Sequence, residues 1–98
     1  MARYPDPHRE LGRALTQLGA ATIVESRQTA WASATFTGAR HHFVLALDPK
    51  DEWWRYAAFE EREFDVPGHI VADIAFVAHE RNPTECRLTI EALTVEDA

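Results

Sequence analysis

The sequence predicts an α+β fold in which two helices cover one face of a four-stranded antiparallel sheet. Three observations carry that reading. Residues 7–18 repeat their apolar side chains at helical spacing, residues 66–77 and 85–95 alternate with a period of two, and a glycine-led turn signal interrupts the strand-like stretch 22–47. The 98 residues, 46% of them hydrophobic, suffice for one domain spanning 1–98 and leave no room for a second.

Asp6-Pro7 is a helix start, because aspartate caps free amides and proline is pre-set for the first helical position. Leu11, Ala14, Leu15 and Leu18 then form a buried stripe, and Gly19 stands where a terminating glycine belongs, so a helix is expected over 7–18. Residues 22–37 have the Thr, Ala, Ser and Val content of a strand. Gly38-Ala39 fits a two-residue hairpin loop of type II′. Counting outward from that loop sets Ala34 opposite Phe43, Ala32 opposite Leu45 and Ala30 opposite Leu47, small side chains against large ones. Trp31 then falls on the outer face.

Asp48-Pro49 repeats the helix-start pattern, and a second helix is expected over 50–61, although its apolar stripe is blurred. Val66-Pro67-Gly68 breaks that helix and launches the central strand. Ile70, Ala72, Ile74, Phe76 and Ala78 are expected to face the core, with His69, Val71, Asp73, Ala75, Val77 and His79 on the opposite face. Asn82-Pro83 marks a turn into the last strand, where Cys86, Leu88, Ile90 and Ala92 turn inward and Arg87, Thr89, Glu91 and Leu93 outward. Two registers keep the inner faces together. Pairing Phe76 with Leu88 sets Asp73 against Glu91, whereas pairing Phe76 with Ile90 sets Ala75 against Glu91 and His79 against Arg87, so the second register is preferred. The resulting order, αββαββ, is that of a ferredoxin-like domain with its first strand moved to the end of the chain. The alternative is a single helix packed on a curved antiparallel meander, with 50–61 as an irregular excursion.

The formal charge of −6 comes from sixteen acidic and ten scattered basic residues, which argues against nucleic acid as a partner. A single cysteine forms no internal disulfide. With no apolar leader and no apolar run of membrane length, a cytoplasmic protein without membrane contact is expected. The five histidines lack metal-site spacing: His41 and His42 point to opposite faces of a strand, and His69 and His79 lie roughly 33 Å apart along one. Neither a metal nor a cofactor is expected, since Gly12, Gly19, Gly38 and Gly68 are isolated and form no phosphate-binding loop. Cys86 points inward with no base beside it, and Ser26 and Ser33 lack a nucleophile elbow.

Two groups are left as candidate sites. Asp73, His79, Arg87 and Glu91 form a polar constellation on the outer face, the candidate ligand-binding residues. In the disfavoured register Asp73 and Glu91 become a close carboxylate pair fit for acid–base work. Trp31, Val71 and Val77 on the outer face, and the aromatic group Trp53, Trp54 and Tyr56, are the candidate contact residues. The expected function is a non-catalytic interaction module, homodimeric through the outer sheet face or the aromatic patch. The alternatives are a small-molecule binder or enzyme that uses the same face as a pocket wall, or a subunit of a larger assembly.

Overall fold

The structure, a computed structural model, describes residues 5–97. Helix α1 runs Pro7–Thr16, and the Asp6 carboxylate caps it by accepting a 3.0 Å hydrogen bond from the His8 amide. Leu11 and Leu15 are fully buried against the sheet. The helix ends two residues before Leu18, where the last turn tightens: the Gln17 amide is shared between the carbonyls of Arg13 and Ala14, and the Leu18 amide bonds that of Leu15, three residues back. Leu18 nevertheless packs on the core.

Strands β1 (Thr22–Ala32), β2 (Thr37–Leu47), β3 (His69–Arg81) and β4 (Cys86–Glu96) form one antiparallel sheet in the order β1-β2-β4-β3. The fold is α+β. β4 lies between β2 and β3, so the sheet is not a simple meander. The first hairpin reverses at 33–36 rather than at Gly38-Ala39. Ser33 makes that turn: its hydroxyl accepts from the amides of Thr35 and Phe36, and its own amide bonds the Phe36 carbonyl at 2.7 Å. Gly38 and Ala39 therefore lie inside β2, where Ala39 faces Ala30, His41 faces Gln28 and Phe43 faces Ser26. The volume that Phe43 needs comes from α1 rather than from alanines across the hairpin.

The second helix does not form. Residues 50–61 contain a single 3-10 turn, Trp53–Tyr56 (η1), so one α-helix covers the sheet among the described residues. The side chains explain this. Trp53 rests against Gly19, while its neighbour Trp54 turns onto Phe76 and His79, at ring separations of 5.3 and 5.1 Å. Ala57 and Phe59 are both buried, a two-residue spacing that a helix does not provide. Between them Ala58 takes a left-handed φ of 52°, which costs an L-residue about 1–2 kcal/mol. Ala58→Gly is therefore expected to raise stability by about 0.5–1 kcal/mol in urea denaturation, the relief exceeding the added freedom of the unfolded chain.

The core lies between α1, the 49–66 segment and the inner face of the sheet, where Phe43, Leu45, Cys86, Leu88 and Ile90 are essentially inaccessible. The register of the second hairpin carries Phe76 opposite Ile90 and Ala75 opposite Glu91. Two bulges, at 71–73 and at 76–78, each insert a residue into β3. Each reverses the alternation beyond it. The expected faces hold for 73–77. Val71 packs against the core while Ile70 is 53% exposed, and His79 falls opposite Leu88 while Arg87 takes Glu80 as its neighbour. Among the described residues no helix is long and apolar enough to cross a membrane.

Candidate functional site

The outer face of the sheet carries neither α1 nor η1. Its side chains stand in rows set by the strand pairing. One row reads Thr29, Arg40, Leu93, Asp73 across β1, β2, β4 and β3; the next reads Arg27, His42, Glu91, Ala75; a third reads Glu25, Val44, Thr89, Ala78. The twist of the sheet hollows this face into a concavity of about 520 Å³. Arg27, Arg40 and His42 lie on one side of it, Asp73 and Glu91 on the other, and Ala75, Val77 and Leu93 supply apolar surface between and beyond them.

His42 ties the two halves together, its Nδ1 standing 3.2 Å from Glu91 and its Nε2 4.0 Å from Glu25. Among the described residues no carboxylate comes within 4.0 Å of the Arg27 or Arg40 guanidinium, and no cation within that distance of Asp73. The face thus presents unmatched charge of both signs on opposite sides.

Of the polar constellation expected from sequence, Asp73 and Glu91 meet in the hollow. They are diagonal neighbours, with Leu93 rather than Glu91 directly opposite Asp73, so no close carboxylate pair forms. Arg87 lies beyond the hollow and pairs with Glu85. His79 is on the helix side of the sheet, still exposed, tilted against Trp54 and stacked on Phe76, because the 76–78 bulge turned it over.

The contact candidates divide likewise. Val77 is on the outer face and 49% exposed, Val71 is turned inward, and Trp31 lies half-buried opposite Gly38. Trp54 is 6% exposed and Trp53 half-buried, so of the aromatic group only Tyr56, at 80%, is open to solvent. Sequence reasoning missed Arg27, Thr29 and Arg40. A turn at Gly38 puts Arg40 next to the loop and leaves Arg27 without a partner on β2, whereas the turn at Ser33 brings both onto the outer face.

A second polar cluster sits at the other side of the sheet, where α1 begins. The His8 and His41 Nδ1 atoms are 2.9 Å apart, and His41 Nε2 lies 2.8 Å from the hydroxyl of Thr94. Thr94 is fully buried and can donate its one proton to the Ala39 carbonyl, 3.5 Å away. The hydroxyl can also accept from or donate to His41 Nε2, and in the Nδ1···Nδ1 contact one ring donates while the other accepts. Burial, with the neighbouring His8 and His69, lowers the His41 pKa to about 4, and burial also lowers that of His8, with Asp6 opposing the shift at both rings.

Among the described residues no three His, Cys, Asp or Glu side chains are gathered to hold a metal ion. Cys86 is buried without an adjacent base, which suits a structural thiol. No family model, no curated protein and no solved structure matches this chain.

Proposed function

We propose that the protein is a non-catalytic interaction module that pairs with a second copy of itself through the outer sheet face. The observation that carries this reading is the split of charge within the hollow of an uncovered sheet: Arg27 and Arg40 on the β1–β2 side, Asp73 and Glu91 on the β4–β3 side, with Leu93, Ala75 and Val77 among them. Two such faces stack in either of two symmetric ways. A two-fold axis perpendicular to the strands puts like charge over like. An axis parallel to the strands lays the basic half of each copy over the acidic half of the other, so the face is self-complementary. Near-parallel stacking also agrees with the usual alignment of packed sheets.

Sedimentation over a micromolar range tests the proposal through charge exchange. Arg40→Glu and Asp73→Arg are each expected to weaken dimerisation by at least about tenfold, and the double variant to restore much of it, because like charges opposed in an interface cost several kcal/mol. A wild-type chain that stays monomeric throughout, or single variants that dimerise unchanged, would overturn it.

The volume of the hollow, about 520 Å³, favours one other reading, a small zwitterionic ligand held between the guanidinium and carboxylate groups. Saturable binding of a short zwitterionic peptide by strictly monomeric protein would select that reading instead.

A further inference from the structure

We infer that the His8–His41 pair is an acid-operated latch that holds the first turn of α1 to the sheet and releases it when both imidazoles are protonated. The contact joins residues 33 positions apart, one at the start of α1 and one on β2, through a single Nδ1–H···Nδ1 hydrogen bond. Such a bond needs one bare nitrogen. A pair carrying one extra proton keeps it, but a pair carrying two has hydrogens on both Nδ1 atoms and two positive charges on rings whose centroids are 5.2 Å apart.

The surroundings give the second charge little relief. His41 is 2% exposed, with Phe43 stacked alongside and the neutral Thr94 hydroxyl on its far nitrogen. The titratable groups that bear on the pair are Asp6 at the start of the helix, which favours charge, and His69 at the start of β3, which opposes it. Among the described residues no carboxylate oxygen lies within 4.0 Å of a ring nitrogen of either histidine. His8 also stacks on Phe43 at 4.6 Å, so its departure uncovers the end of the core below Leu11 and Leu15.

The sign follows from linkage. Both histidines are held below their ordinary value of 6.5, so the folded state prefers them neutral. The stabilisation is fully present above that value and is lost as the pH falls towards about 4, the folded-state value for His41.

Amide hydrogen exchange of the intact chain at pH 7 and pH 4.5, corrected for intrinsic rates, reads this out. Protection of 9–16 in α1 is expected to drop by roughly a hundredfold at the lower pH, while β2 and β4 amides keep most of theirs. His8→Gln keeps a side-chain amide that can donate to or accept from His41 Nδ1 but cannot take the second proton, so its α1 protection is expected to persist at pH 4.5. His8→Ala removes the partner of His41 Nδ1 and is expected to show weakened α1 protection already at pH 7. Unchanged α1 protection in the wild type at pH 4.5, simultaneous loss across helix and sheet, or the same acid response in His8→Gln would each overturn the latch.

Discussion

Phe43→Ala is expected to lower the free energy of unfolding by about 3–5 kcal/mol, the range for deleting a buried aromatic ring from a core that relaxes only in part. Phe43 is 1% exposed on the central strand β2, with Ile90 of β4 directly beside it and the ring of His8 stacked 4.6 Å away. Its loss leaves a void bounded on one side by α1, which has few other anchors, since the helix meets the sheet mainly through Leu11 and Leu15. Urea denaturation at neutral pH measures the change. The effect should exceed that of Val44→Ala, whose side chain points from the same strand to the outer face. A loss below about 1 kcal/mol would mean that the helix closes the space at little cost.

Gly38→Ala is expected to destabilise by about 1–3 kcal/mol or more, although the same change in an ordinary strand interior is favourable by roughly 0.5–1 kcal/mol. The sign is therefore the test. A methyl group at Gly38 would collide with the carbonyl oxygen of Thr94 on β4 and stand 3.1 Å from the Trp31 indole. The obstacle is backbone, so relief requires β2 and β4 to separate near Thr94, the residue that also holds His41. Thermal or chemical denaturation of the variant gives the sign directly, and a more stable variant would show that the strands are free to part there.

These residues also show where the sequence was legible. The capped start of α1, its buried leucines and the Phe76–Ile90 register follow from local capping and from the penalty on opposed like charges, which act over a few residues and leave their mark in the pattern. The first turn is hidden in the sequence because Gly38 looks like a hairpin glycine, when close approach of β4, a contact 56 positions away in the chain, is what demands it. Ser33 gave a weaker signal and formed the turn. The second helix failed because Trp53 and Trp54 found pockets on different elements, which helix propensity does not register.

The bulges in β3 had the largest functional consequence. Ala72 and Val77 read as ordinary members of an alternating run, yet the extra residue at each place moved Val71 and His79 to the helix side of the sheet and left Asp73 outside. Half of the polar constellation therefore survives in the hollow. Its basic partners, Arg27 and Arg40, became visible only when the hairpin register was known.

The most direct measurement is the change in backbone amide chemical shifts on dilution through the dimer midpoint. Self-pairing through the outer sheet face requires the changes to concentrate at Arg27, Thr29, Arg40, His42, Asp73, Glu91 and Leu93, with α1 and Tyr56 unmoved. Shifts that do not depend on concentration, or that gather around Tyr56 or along the free edge of β1, would contradict it.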